Sequence, residues 1–567
     1  MSKCHYKCLL ISSFTIDNFA SYLTSHKLEP SIDVIKASSY DQVSRILLDK
    51  NNNCWQENPD FAILWTQPER IIGSFQKLLE SGKESMENIL SEVDEYASQV
   101  LNVRNNIKYI FVPSWTLTGG NKGSGLLDMK PCTGVANTLM KMNLRLVDNF
   151  AQESNIFILN SQRWIEKAGK NSFVPKLWYM AKIPFGNDVF QEAVKDIKAI
   201  MQAAMGLSKK LIILDLDDTL WGGIVGDEGW QNIRLGGHDY IGESYVDFQR
   251  ELKALSKKGI ILGIVSKNDE KIAFEAINKH PEMVLRQDDF AGWRINWNDK
   301  AKNILELVEE LNLGLQSVVF IDNNPAERDR VREALLEVLV LDWPQDSMLY
   351  KQTLSNLRCF DSPSISIEDL NKTKMYMAER ERTKVKKNVP SLDEWLKSLH
   401  LTIKIESLSE SNIKRAVQLL NKTNQMNLST RRLSESELLK WEQSEGNHMW
   451  VFYISDKFGD SGLTGISSMN CANADATIVD FVLSCRVMGR KIEEAMLSFI
   501  CRYSKDHKVK KVKAIYIPTA KNNPCLNFFN HSGFNHKPSG FEFSWDLSND
   551  YSLPSFISIE ELKDCFA

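Results

Sequence analysis

Residues 211–219 read L-I-I-L-D-L-D-D-T. The first four are apolar, Leu216 adds a fifth, and Asp215, Asp217 and Asp218 follow in quick succession. A buried strand that runs straight into three carboxylates packs badly, because a buried charge is costly unless it is paired or bound to a cation. The pattern predicts a divalent-cation site at the C-terminal end of a parallel strand, where open α/β sheets place their ligands. Hard oxygen donors favour Mg²⁺ over zinc. The bland alternative, a D-x-D that merely caps the next helix, accounts for fewer of the charges.

Working outward, two further apolar runs end in polar residues. Residues 260–266 read I-I-L-G-I-V-S and end in Ser266; residues 317–324 read S-V-V-F-I-D-N-N and contain Asp322. Lys300, in W-N-D-K, opens the amphipathic pattern A-K-N-I-L-E-L-V-E-E-L. Asp-x-Asp-x-Thr, Ser, Lys and Asp in this order resemble the haloacid dehalogenase superfamily of phosphohydrolases. The resemblance implies that Asp215 is the nucleophile and Asp217 the general acid/base. It implies further that Thr219, Ser266 and Lys300 hold the phosphate, and that Asp215, Asp217 and Asp322 hold Mg²⁺. A carboxylate is a weak nucleophile, so metal and lysine must offset the charge of the phosphate. Asn323 stands where many relatives have a second acidic residue.

Composition bounds the rest. The 567 residues suggest three or four domains, and the apolar and charged fractions are those of a globular chain. A net charge of −4 does not suit nucleic acid, and no apolar run is long enough to span a membrane. The N-terminal M-S-K-C-H-Y-K-C-L-L-I-S-S-F reads as a first strand rather than a leader. Ten scattered cysteines without C-x-x-C spacing point to reduced thiols in the cytoplasm.

The expected fold class is α/β, in three regions. Residues 1–207 alternate strand candidates (Cys8–Phe14, Phe61–Thr66, Tyr109–Ser114, Ile156–Asn160) with helical patterns near 84–102, 132–150 and 188–205, the rhythm of a parallel sheet. The Gly- and Lys-rich run at 118–125 lacks the ending of a phosphate loop and reads as an ordinary loop. This region resembles an SGNH-hydrolase-like domain without its catalytic triad, and scaffold or docking is its expected role. Residues 208–352 form the phosphatase-like, Rossmann-like core. No cap of folded size fits between Thr219 and the helix pattern 242–257, or between Ser266 and Lys300, which suggests an open site and a substrate presented by a macromolecule. Residues 353–400 form a charged helical linker, and 401–567 the last domain.

In the last region a strand, a basic turn and a helix (A-T-I-V-D-F-V-L-S-C-R-V-M-G-R-K-I-E-E-A-M, 476–496) resemble the acyl-CoA-binding motif of GNAT-type acyltransferases. Lys491 stands where a small residue is usual. Arg486, Gly489 and Arg490 in the turn, with Arg431 and Arg432 in T-N-Q-M-N-L-S-T-R-R (423–432), are expected to meet a carrier protein or the phosphodiester of its arm. The three-domain order, with D-L-D-D-T-L-W-G-G, S-K-N-D-E, H-P-E-M-V-L-R, R-I-N-W-N-D-K, L-S-C-R-V-M-G-R and P-T-A-K-N-N-P, resembles the FkbH-like proteins of polyketide pathways. The resemblance implies that a glyceryl unit is taken from 1,3-bisphosphoglycerate, phosphate is removed, and glycerate is loaded as a thioester on an acyl carrier protein through its phosphopantetheine arm. A thiol is then needed. Cys485, at a strand end before a helix start, is the first candidate, and Cys525 its rival. His238 and His280 read as structural. The alternative reading is a Mg²⁺-dependent phosphatase for a small metabolite with a non-catalytic C-terminal domain.

Overall fold

A computed structural model describes all of the chain except residues 1–4, 26–28, 38–41, 50, 118–122, 124, 132, 154, 362–374, 376, 379–380, 383–384, 386–388, 473–474, 520, 537–539 and 562–567. The chain forms two compact units, Met1–Met201 and Gln202–Ala567. The loop 118–125 and the linker stretch 374–387 lie largely outside the described residues.

The first unit is a five-stranded parallel sheet. Its strands are β1 (His5–Ser12), β2 (Ser31–Lys36), β3 (Phe61–Trp65), β4 (Tyr109–Pro113) and β5 (Ile156–Leu159), in the order β2-β1-β3-β4-β5. The long helices Met86–Val103, Val135–Asn149 and Asn187–Ala204 match the periodicity of the sequence. Strand β2 was not legible: S-I-D-V-I-K carries charges, because it is an edge strand with one partner.

The second unit holds two sheets. The first contains β6 (Leu211–Leu214), β7 (Ile261–Ser266), β8 (Phe290–Ile295), β9 (Val318–Ile321) and β10 (Leu339–Val340), all parallel, in the order β10-β9-β6-β7-β8. Strand β6 is central. Ile212 and Leu214 enter the core on one face, and Leu211 and Ile213 the core on the other. Burial on both faces is why its sequence is a continuous apolar run rather than an alternating one. Between β6 and the helix Tyr240–Lys257 only a four-residue helix, Val225–Glu228, intervenes.

The second sheet of this unit is mixed. Its strands are β11 (Leu401–Ser407), β12 (Met426–Asn427), β13 (Asn447–Asp456), β14 (Gly459–Ala472), β15 (Asp475–Leu483), β16 (Lys511–Ile515), β17 (Asn535–His536), β18 (Glu542–Asp546) and β19 (Ile557–Glu561). They follow the order β17-β18-β16-β15-β14-β13-β11-β19, with β12 paired to the end of β15. The crossover from β15 to its parallel neighbour β16 runs through the helix Ile492–Asp506. Asn312, just beyond the helix Lys300–Glu310 of the phosphatase-like core, donates its side-chain N–H to the Cys485 carbonyl of the mixed-sheet domain.

Candidate active site

Strand order places the site. Connections from β6 and β9 leave toward opposite sides of the sheet, so a crevice opens beyond their carboxyl ends. Leu211 through Leu214 pair in register with Val318 through Ile321. The Asp215 N–H donates to the Ile321 carbonyl at 3.0 Å, so the register carries on by one residue and sets Asp215 beside Asp322. Ser266 is the last residue of β7. Lys300 is the first of its helix, whose N-cap is Asp299. Strand and helix ends thus bring four separated pieces of sequence together.

The Lys300 Nζ lies 3.0 Å from Asp215 Oδ1 and 2.6 Å from Asp322 Oδ2, and its side chain is 3 % exposed. Burial disfavours its charge, but the two carboxylates outweigh that and hold its pKa above the ordinary lysine value. Asp322 has no exposure at all. Burial, then the neighbouring Asp215, push its pKa to about 6 even with Lys300 in contact. The pocket therefore holds more negative charge than one ammonium offsets. An oxygen donor set with surplus negative charge fits a hard divalent cation.

Asp217 is set apart. Its Oδ1 accepts from the Trp221 indole N–H at 2.9 Å and the Val225 N–H at 3.1 Å, and its Oδ2 accepts from Asn268 Nδ2 at 2.9 Å. Burial raises its pKa from the ordinary aspartate value despite these donors. Both of its oxygens are thus engaged by neutral donors. Among the described residues no three His, Cys, Asp or Glu side chains cluster as a metal centre. Of the three carboxylates expected to hold a metal, Asp215 and Asp322 share one lysine, and Asp217 stands on its own donors.

Thr219 is wholly buried, and its Oγ1 accepts from the Asn323 N–H at 3.2 Å, so it ties the loop after β6 to the loop after β9. Ser266 is 2 % exposed, and among the described residues no protein group hydrogen-bonds its hydroxyl. The chain turns away after Asp217 because Asp218 adopts a left-handed φ of 52°. Its Oδ1 accepts from the Gly223 N–H at 2.7 Å.

Sequence reasoning missed two supports. Asn268, which holds Asp217, lies two residues past the end of β7, where a polar residue was the available signal. Arg328, one turn into the helix Pro325–Ala334, donates to the carbonyls of Asp322 and Asn323 at 2.8 Å each. Nothing in A-E-R-D-R marks it out from a surface arginine.

The arginines of the last domain are placed differently from the expectation. Arg431 forms a forked ion pair with Asp480, whose carboxylate is unexposed, and lies 4.8 Å over the Trp441 ring. Arg432 donates to the Leu420 and Thr423 carbonyls and to the Asn424 side chain. Arg490 is 1 % exposed and packs with Arg382 around the buried Asp456. These three brace the domain internally. Arg486 is half-buried and donates to Ser484 Oγ at 3.3 Å; among the described residues it has no carboxylate partner. Gly489 is left-handed at φ 74°, with open space where a Cβ would lie. Cys485 is half-buried in a 3₁₀ turn after β15. Cys525 is wholly buried, and burial pushes its thiol up to about 12. His280 is also buried, and that burial lowers its pKa.

Comparison with known proteins finds a family match and similar solved structures. Residues 22–202 match the family described as FkbH, N-terminal domain. The chain is similar to the N-terminal part of a Bacteroides fragilis protein containing a phosphatase domain, solved in complex with Mg. The identity is 30%, over 64% of this chain and 96% of that chain, with a TM-score of 0.58. It is also similar to the ribosomal-protein-S18-alanine N-acetyltransferase from Escherichia coli, at 13% identity over 25% of this chain and 89% of that chain, TM-score 0.19. The PaiA N-acetyltransferase from Thermoplasma acidophilum, in complex with coenzyme A, shares 15% identity over 25% of this chain and 98% of its own, TM-score 0.21. TM-scores that low establish no fold relationship. No curated protein matches the chain.

Proposed function

Because the chain belongs to the FkbH-like phosphatases, we propose that it removes phosphate from a glyceryl donor and loads the glyceryl group on a carrier protein. The donor would be 1,3-bisphosphoglycerate and the acceptor the phosphopantetheine thiol of an acyl carrier protein, for polyketide assembly. The observation that carries the phosphatase half is the buried contact of Lys300 with both Asp215 and Asp322. In this reading the Asp215 carboxylate attacks phosphorus, Lys300 steadies the charge, and Ser266 offers a free hydroxyl to a phosphoryl oxygen. Asp217, with its raised pKa, gives a proton to the leaving oxygen and later takes one from the attacking water. Mg²⁺, held by Asp215 and Asp322, would supply charge neutralisation and in-line orientation.

For the acyl half, an acyl phosphate is already activated. The Cys485 thiolate would attack its carbonyl carbon and expel phosphate, and the carrier thiol would then displace Cys485. The flanking domains are read as SGNH-like and GNAT-like. Cys485 sits beyond the far end of the helix that Lys300 begins. Eleven residues of helix are roughly 16 Å long, so the two reactions occupy separate centres. The internal use of Arg431, Arg432 and Arg490 favours, as a second reading, a phosphatase for a small metabolite whose last domain is not catalytic.

The test is incubation with 1,3-bisphosphoglycerate and a phosphopantetheinylated carrier, followed by intact-mass measurement of both proteins. A glyceryl thioester on the carrier, lost in Cys485→Ala, supports the full reading. Phosphate release with an unmodified carrier selects the simple phosphatase. A carrier acylated normally by Cys485→Ala leaves transfer direct and returns Cys485 to packing.

A further inference from the structure

Backbone N–H groups at the start of a helix are unpaired donors with partial positive charge, so an anion belongs there. The turn from β15 into the helix Ile492–Asp506 is such a place, and a carboxyl group of the chain itself occupies it. Glu493 is 4 % exposed, and its Oε1 accepts from the Gly489 N–H at 3.0 Å. Its own backbone N–H is a second donor to the same carboxylate. Gly489 and Lys491, at φ 74° and 63°, coil the turn so that residue 489 points back at residue 493.

A second obstruction lies beside the strand. Strand β16 pairs with β15 only from Asp475 to Ile478. Farther along, the place next to Val482 and Leu483 is taken by β12. Leu428 continues the wedge: its N–H donates to the Phe481 carbonyl at 3.1 Å, and its carbonyl accepts from the Ile517 N–H at 3.0 Å. Asn522, wholly buried, locks it. The Asn522 Nδ2 donates to the Asn427 carbonyl at 3.0 Å and the Ile517 carbonyl at 2.8 Å, and its Oδ1 accepts from the Tyr516 hydroxyl at 2.6 Å. An extended ligand could pair with the end of β15 only by displacing this segment.

We infer that the C-terminal domain is closed to coenzyme A and to other nucleotide diphosphates, and that Glu493 is the specificity residue that excludes the diphosphate. For its meaning in acyl transfer the inference rests on the proposed function: the acceptor thiol must reach Cys485 on an arm that brings no diphosphate to this turn. Its binding test does not depend on that reading.

The test is amide hydrogen exchange, read by mass spectrometry on peptides covering 485–497 of the full chain, with and without inorganic pyrophosphate or coenzyme A. Local readout separates this turn from the phosphatase site. In wild type neither probe should change exchange there. In Glu493→Ala, pyrophosphate should slow it at least about tenfold, the size expected when a bound anion holds the turn N–H groups. Glu493→Gln, which keeps the shape and removes the charge, should move the same way by less. Unchanged ligand-free exchange in the other peptides of 401–561 shows that the variants' domain is folded. Protection of this peptide in wild type by either probe overturns the inference, and so does a lack of protection in both variants. Failure of carrier acylation would count against the proposed function and leave the exchange result standing.

Discussion

Asp215 and Asp217 are two residues apart and are suited to different chemistry because their surroundings differ. Asp215 is held by an ammonium beside a second carboxylate, whereas Asp217 is held by neutral donors from Trp221, Val225 and Asn268. Asp215→Asn keeps the shape and removes the proposed nucleophile, so phosphate release should become undetectable. Asp217→Asn should leave binding intact and slow release by about 10²–10⁴, less for substrates with good leaving groups, since a positioned acid contributes about that much. A steady-state comparison of two leaving groups checks this; equal losses on both would remove Asp217 from proton transfer. Arg431 supports a prediction of another kind. Its removal leaves the unexposed Asp480 carboxylate without its cation, which costs about 3–5 kcal/mol. Arg431→Ala should therefore lower the denaturation midpoint markedly, and salt should change that little; a midpoint within error of wild type would restore Arg431 as a surface residue. The contrast shows what one sequence can and cannot display. Asp215, Ser266, Lys300 and Asp322 are legible because each follows an apolar run or opens a helix. The partner of Arg431 lies 49 residues away, and no local pattern announces a pairing across that distance.

At the scale of elements, the sequence shows periodicity but not competition for a place in the sheet. The strand–turn–helix at 475–506 was readable. That Glu493 fills the helix start, and that Met426–Asn427 fills the place beside β15, depends on the fold-back of the turn and on long-range pairing. The buried carboxylate has a measurable consequence. Burial raises the Glu493 pKa from 4.5 to about 7. The folded chain thus keeps a proton across that window that the unfolded chain has released. Unfolding gives up a proton there, and stability falls as pH rises from 4.5 to about 7. Glu493→Gln cannot ionise and should not suffer this loss. At pH 8 it should be more stable than wild type by on the order of 2–3 kcal/mol, with the gap closing near pH 4. Urea denaturation of the two proteins at several pH values checks the sign, and a Gln variant no more stable than wild type at pH 8 would sink the argument.

At the scale of the molecule, the parts divide unequally. Among the described residues no helix is long and apolar enough to cross a membrane. Met1–Met201 is one compact unit, while the phosphatase-like core and the mixed-sheet domain share the other. Within that second unit Asn312 donates to the Cys485 carbonyl, and Asn424 donates to the Gly206 carbonyl at 3.5 Å. Every residue assigned to phosphoryl or acyl chemistry also lies there. The boundary between Met201 and Gln202 falls near the end of the helix Asn187–Ala204, so a cut there trims one helix end, but a cut after Asp361 strips one packed domain from another. The fragment 202–567 should fold and release phosphate from a simple ester within about threefold of the full chain, because a compact unit with its own core keeps its site. The fragment 1–361 should lose the bracing at Asn312 and melt earlier, and it should acylate no carrier because it lacks Cys485. Parallel assays of both fragments for phosphate release and carrier mass separate the roles. If 202–567 is inactive while folded, the first unit contributes to the phosphatase site and the division of labour drawn from these contacts fails.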